Sequence, residues 1–340
     1  MTRLSTPWSR TVLGMAGRAK PDPENQAISA DTSSGILREP SMSRRTSAAR
    51  YQPGRRSRLL GILKLLPLKM LCLVLPLVAG GCASVPLKGA GTLKTYNNLS
   101  EEKGTLSKSR NYIDGNALAS VKTVVIAPTT FTRSAFSLVK TAQDRALVAN
   151  ALDREVCVAL SDKFQIVSSG EAADLTVRTV ITDVLPTDKA VAGVATAVTL
   201  GGSVAGLPVG IPRLPFGLGG LAVEAEAVDR NGVQRAAMVW ARGANSITNK
   251  PRVSEVGDAH SLATTFGNEF SRMLVTGKEP QPLHIALPSG QRVQSWLGGP
   301  PKYAACDTFG RAPGLVGVVA DNFGAPPEWT DKSPQAAAQQ

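Results

Sequence analysis

Histidine is almost missing from this chain, and its scarcity removes the commonest metal and acid–base chemistry. The 340 residues hold two, His260 and His284, neither at metal-ligand spacing from another histidine, a cysteine or a paired carboxylate. His260 is expected on the polar face of a helix. No G-x-x-x-x-G-K-S/T loop and no G-x-S-x-G elbow occurs, so phosphate-cradling and esterase-type chemistry lack their local machinery. Gly217-Leu218-Gly219-Gly220-Leu221-Ala222 spells G-x-G-x-x-A, but it leads into a strand instead of opening a helix, and its amides do not converge on a pyrophosphate. No cofactor and no metal are expected.

Acidic residues are scarce only in the first quarter of the chain. Residues 1–81 hold 13 of the 38 lysines and arginines against 4 of the 26 acidic residues, whereas residues 82–340 hold 25 against 22. The formal net charge of +12 therefore falls to +3 beyond residue 81. No basic stripe of the kind that follows a phosphate backbone is left there, so no nucleic-acid partner is expected.

The N-terminal apolar run is too short to span a bilayer. Arg55, Arg56, Arg58, Lys64 and Lys69 precede the uncharged run Met70–Gly81, 12 residues long, where a spanning helix needs about 20. Basic residues ahead of a short apolar core make a secretory signal, here residues 55–81, ending Val78-Ala79-Gly80-Gly81-Cys82-Ala83-Ser84. Small side chains directly before a cysteine resemble the lipobox of bacterial lipoproteins, although Ala79 stands where that pattern usually has leucine. The resemblance implies cleavage before Cys82, a lipid on its thiol, and attachment to the periplasmic face of a membrane. Ala83 follows where inner-membrane retention typically has aspartate, so the outer membrane is expected. A plain secretory signal with an incidental cysteine, and an uncleaved anchor, are the alternatives. Acyl chains at about 0.8 kcal/mol per buried methylene anchor stably when several act together. Residues 1–54 are polar and rich in Ser, Arg and Pro, and read as a disordered extension, with Met42 the candidate true start.

Residues 82–118, with scattered Gly, Ser, Lys and Asn, read as a tether. An α+β domain is expected over 119–278. It opens with the β-branched run Val121–Ala127, closed by Pro128, and continues as an amphipathic helix over 141–162. Val148, Leu152, Val156 and Leu160 form the stripe of that helix, with Arg145, Asp153 and Arg154 off it. Phe164–Val167 is a short strand. From Asp174 to Val184, Leu175, Val177, Thr179 and Ile181 alternate with Thr176, Arg178 and Thr182. Residues 221–242 form a hairpin about Asn231-Gly232, a pair that suits a type I′ turn with Arg230 opposite Val233. That register sets Val223, Ala225 and Ala227 against Trp240, Met238 and Ala236. Glu224 and Glu226 then lie on a water-facing side, with Arg235 diagonal to Glu226. A second amphipathic helix, about Asp258–Thr276, carries Leu262, Phe266, Phe270 and Met273 and is capped by Gly277. Residues 279–340, dense in proline, read as a loop-rich tail with a short strand at Leu315–Ala320.

Two further features call for chemistry. Cys157 and Cys306 are the thiols left once Cys82 is acylated, and export to an oxidising compartment makes a disulfide between them the expectation, with two unpaired cysteines the alternative. The insertion 190–220 has no charge from Ala190 to Pro212; its Gly202, Gly206 and Gly210 recur every fourth residue, as in close-packing glycine zippers, although Pro208 and Pro212 interrupt a continuous helix. It reads either as a core-capping insertion or as a membrane or partner contact.

Gly91–Leu99 (GTLKTYNNL), VKTVVIAP, ADLTVRTVITDVLP and GLAVEAEAVDRNG, in that order behind a lipobox, resemble the bacterial lipoprotein family catalogued as domain of unknown function 3313. The resemblance implies location and fold and brings no activity. The expected architecture is α+β, a largely antiparallel sheet of about four to five strands with two amphipathic helices on one face. The expected role is a non-enzymatic envelope interaction or assembly module, held to the membrane through Cys82 and engaging an envelope protein. An auxiliary lipoprotein subunit of an envelope lipid transporter is the alternative, and an envelope enzyme the third reading.

Overall fold

The computed structural model describes residues 83–204, 213, 215–280 and 287–332. Cys82, Gly206, Gly210, His284 and the leader lie outside them. In chain order the elements are β1 (Ser107–Ile113), α1 (Gly115–Ala119), β2 (Thr123–Ile126), β3 (Thr130–Phe131), α2 (Arg133–Leu138), α3 (Ala142–Leu160), β4 (Gln165–Ile166) and β5 (Leu175–Leu185). Then come α4 (Lys189–Val204), β6 (Gly220–Asp229), β7 (Gln234–Gly243), α5 (Gly257–Thr276), α6 (Gly290–Trp296) and α7 (Gly314–Asn322), with single 3₁₀ turns at Ala304–Phe309 and Pro327–Trp329.

The fold is α+β, and its sheet is larger than expected and mixed. Seven strands join, in the order β1-β7-β6-β5-β2-β4, with β3 also on β5. The pairs β1–β7, β7–β6 and β6–β5 are antiparallel, while β2 runs parallel to both β4 and β5. The parallel pairs arise because α3 returns the chain across the sheet before β4 starts, which brings β4 back in the direction of β2. β1 was hidden in the stretch read as a tether: SKSRNYI has no apolar alternation, since an edge strand needs only one partner and here its outer side meets solvent and Lys103.

The hairpin pairs Val223 with Trp240, Ala225 with Met238 and Ala227 with Ala236. Its turn differs from the two-residue form. Gly232 N–H donates to Asp229 O (2.9 Å), Asp229 N–H to Val233 O (2.9 Å), and the register slips by one between Ala227 and Val228. Asp229 Oδ1 accepts from the amides of Asn231 and Val233, both at 2.9 Å. A carboxylate at the turn's first position thus stabilises a three-residue loop, and a bulge absorbs the extra residue.

α3 and α5 pack side by side on one face of the sheet. Trp240 meets Phe266 edge-on at 5.5 Å and Phe266 stacks on Phe270 at 5.8 Å. Gly277 closes α5 at φ +66°. α3 is buried almost all round from Ala146 to Leu160, including the polar residues placed off its stripe. Asp153 faces the sheet, where Thr129 N–H (2.9 Å) and Thr129 Oγ1 (2.5 Å) donate to it, and Thr179 adjoins them. A helix buried on every side needs a further layer outside it, and the tail supplies that layer. Residues 287–332 are largely helical, with α7 in place of the strand expected at Leu315–Ala320. The Gly-spaced insertion likewise begins as a helix, α4, whose last turn contains Gly202.

Candidate functional site: the sheet end beside Ala83

The chain joins the domain one residue after Cys82. Ala83 N–H donates to Ala244 O at 3.0 Å, just past the end of β7. Val85, buried, sits on Gly220, which pairs with Gly243 at the start of β6. A Cβ on Gly243 would overlap the Ala83 carbonyl, and one on Gly220 would overlap Val85 Cγ2. Those two glycines allow the strap to lie directly on the strands.

Glu224 and Glu226 then hold the strap down. Glu224, expected in water, is fully buried; it accepts from Ala90 N (2.6 Å), Thr92 N (3.1 Å), Tyr96 Oη (2.7 Å) and Thr92 Oγ1. Burial and the bond to this carboxylate raise the Tyr96 hydroxyl above its usual pKa. Glu226 accepts from Lys94 N (2.8 Å) and Gln234 Nε2 (2.8 Å) and pairs with Arg178, while Arg235 turns instead to Asp114 (2.9 Å) and Asp229 (2.8 Å). GTLKTYNNL and GLAVEAEAVDRNG, far apart in the chain, are therefore two halves of one latch.

The same end of the sheet collects three connections, described over residues 132–141, over 185–204 with 213 and 215–219, and over 243–257. Asp258, in the first turn of α5, ties two of them: Arg213 Nη1 (2.7 Å), Gly219 N (2.8 Å) and Thr187 Oγ1 (3.0 Å) all donate to it, and the Arg213–Asp258 pair is buried. Glu255 bridges to Lys189 (3.3 Å) and Lys140 (4.0 Å). Large apolar side chains stand in water around this rim: Phe136, Leu138, Leu185, Phe216 and, 84% exposed, Ile247. Arg145 lies over the Phe136 ring at 3.8 Å. At the opposite end, among the described residues of 114–122, 161–174, 229–233 and 277–280, Val233 is the single large apolar side chain so exposed.

A groove of about 540 Å³ lies elsewhere, between α3, α5 and the tail. Arg154, Arg252, His260, Arg272, Glu269 and Asp321 line it. Its charges are matched: Arg154 meets Asp331 (2.7 Å), Arg252 meets Asp321 (2.7 Å) and, at its margin, Arg292 meets Glu155 (2.8 Å). Each pair joins the helical layer or its connections to the tail. His260 is largely buried rather than on a wet face; its Nε2 stands 4.0 Å from Asp331, and burial lowers its pKa. Cys157 and Cys306, both buried, are joined in a disulfide with Cα atoms 5.7 Å apart. The groove is thus the seam along which the tail is fastened. Among the described residues no group of three or more His, Cys, Asp or Glu side chains is arranged to hold a metal, and no helix is long and apolar enough to cross a membrane.

A family model described as protein of unknown function DUF3313 matches residues 88–270. The chain belongs to that family. The match starts within the strap and ends inside α5, so both halves of the carboxylate latch fall in it and the tail does not. No curated protein matches the chain. Solved structures similar to it include two that each cover 52% of this chain. One is the PelC dodecamer from Paraburkholderia phytofirmans, 12% identical, covering 52% of this chain and 99% of its own, with a TM-score of 0.29. The other is a DUF4136 family protein from Bacteroides thetaiotaomicron, 9% identical, covering 52% of this chain and all of its own, with a TM-score of 0.27.

Proposed function

We propose that this chain is an envelope lipoprotein, anchored through Cys82 on the periplasmic face of the outer membrane, which works as a non-enzymatic interaction module. The observation that carries this reading is the display of α7. Leu315, Val316, Val318 and Val319 are each more than half exposed, as is Phe323 at its C-cap, while only Gly314 and Gly317 are buried. An apolar helix face left in water marks a binding surface, and a single short helix suits an apolar groove on another protein. A helix lying in a bilayer surface carries Lys or Arg along its polar side; α7 has neither, and its one charged side chain, Asp321, is engaged by Arg252.

The test is a photo-crosslinker at Val316 in intact cells, with Val233 as the control position, followed by mass spectrometry. Discrete envelope-protein adducts at 316 and none at 233 are expected. Adducts to lipid alone, or none, would remove α7 as the partner surface. Transporter components among the adducts would favour an auxiliary role in lipid transport, and turnover of an envelope substrate by the purified chain would overturn the non-enzymatic reading. Cys82→Ser should release the chain from membranes without its lipid.

A further inference from the structure

The end of the domain beside Ala83 points to a membrane-facing surface. We infer that the rim formed by residues 132–141, 185–204, 213, 215–219 and 243–257 lies against the bilayer, with Phe136, Leu138, Phe216 and Ile247 entering the lipid interface. The inference rests on lipidation of Cys82. If residues 82–118 were a free tether, an anchored domain could sample every orientation. Instead Ala83 is hydrogen-bonded to Ala244, Val85 is packed on Gly220, and the strap is latched from Ala90 to Tyr96. A lipid on Cys82 is thereby one residue from the sheet end, and that end has to sit at the membrane surface.

Two independent distributions agree with this placement. Apolar side chains stand exposed around the near rim, with Leu106 just before β1 adding to them, whereas the far-end connections 114–122, 161–174, 229–233 and 277–280 expose Val233 alone, with Leu287 beside them where Ser289 meets Asp162. Charge divides the same way. The three rim connections carry six basic residues and two acidic ones, Asp188 and Glu255, while the far-end connections carry four basic and six acidic residues. Arg133, Lys140, Lys189 and Lys250 are exposed on the rim, where an anionic headgroup layer attracts them. Aromatic and aliphatic side chains flanked by lysine and arginine are the composition that settles at a lipid interface. The occupant is therefore the bilayer that holds the Cys82 lipid, and the far end, with the hairpin turn, faces the periplasm.

The test uses the full chain, processed and lipidated in cells, purified and reconstituted in vesicles of phosphatidylethanolamine and phosphatidylglycerol. Ile247→Cys and Val233→Cys each receive a nitroxide label; both are exposed, so neither substitution disturbs the core. The ratio of oxygen to nickel-chelate accessibility should be several-fold higher at 247 than at 233. Equal, water-like values at both sites, on protein whose Cys82 is shown by mass spectrometry to be acylated, would overturn the orientation and leave the anchoring reading standing. Protein recovered unlipidated and soluble would overturn the anchoring reading and this orientation with it. Replacing Phe216 with Asp should make the label at 247 more water-accessible without releasing the chain from vesicles; no change there would exclude Phe216 as a membrane contact.

Discussion

Residues 83–99 cover one face of the sheet, and residues 287–332 cover the outer side of the helices on its other face. Neither stretch has the periodicity of a packed element. The first is held by backbone and hydroxyl donors converging on two carboxylates, Glu224 and Glu226. The second is held by a disulfide, Cys157–Cys306, and by ion pairs such as Arg154–Asp331 and Arg292–Glu155. The strap thus depends on the acceptor oxygens and shape of strand residues inside the family's own sequence, and the tail on oxidation. An exported protein can rely on both; a reduced one would keep the strap and loosen the tail.

The largest expected effect tests the tail. Replacing Cys157 and Cys306 together with serine opens a loop whose ends lie 149 residues apart. The loss should be about 4–5 kcal/mol if chain entropy governs it, measured by guanidinium unfolding of the oxidised and variant proteins. A loss under about 1 kcal/mol would show that the polar links hold the tail without the covalent bond, and the contrast with the strap would fail.

Glu224→Ala tests the strap. It strands the amides of Ala90 and Thr92 and the hydroxyls of Thr92 and Tyr96 under cover, and should cost about 3–4 kcal/mol. Residues 83–99 should become sensitive to protease while the tail stays resistant. Glu224→Gln, which keeps the shape and one acceptor oxygen, should cost about 1–2 kcal/mol. Unchanged protease resistance in both variants would assign the hold to Val85, Leu93 and Leu99 instead.

These two covers also mark where sequence reading stops. β5, the hairpin pairing, α3 and α5 were legible because their periodicity records which side chains share a face. What lies over a face is not recorded locally. Glu224 and Glu226 alternate as solvent-facing residues should, yet a segment some 130 residues earlier covers them. Asp153 and Arg154 leave the apolar stripe, yet both are buried: one meets Thr129 in the core and the other meets the tail. β1 lacked a pattern because its neighbour, β7, supplies the apolar side chains. A signal was present in GTLKTYNNL, where Gly, Thr and Tyr offer donors without a strand or helix to use them, and it becomes readable only beside GLAVEAEAVDRNG.

Between the covers lies Asp153, and its pH response separates core from seam. Burial raises its pKa from 3.8 to about 7, against the lowering bonds from Thr129 and Thr179. The folded state therefore keeps a proton that the unfolded chain releases above pH 3.8, so stability falls as pH rises from about 4 to about 7, by about 2–4 kcal/mol. His260, in the tail seam, is lowered by burial; there the unfolded chain holds the extra proton, and stability rises as pH climbs towards 6.5. Asp153→Asn should erase the falling component and leave the rising one, seen as urea midpoints that increase from pH 5 to pH 7. Parallel pH profiles for the variant and the natural chain would exclude an elevated Asp153.

The smallest effects belong to the rims of the covers. Lys94 Nζ reaches the carbonyl of Gly232 at the exposed edge of the strap, and Arg311 pairs with Asp307 at 3.0 Å on the surface of the tail, with both side chains more than 40% exposed. Water competes for each group, and ordering a long side chain offsets most of the attraction, so Lys94→Ala and Arg311→Ala should each change stability by less than about 0.5 kcal/mol. Matching small losses would mean that both covers are held from beneath, by Glu224 on one side and by the disulfide and buried ion pairs on the other. A loss above about 1 kcal/mol for either would mean that its cover is held along the edge, and for the strap it would shift weight from the carboxylates to the hairpin turn.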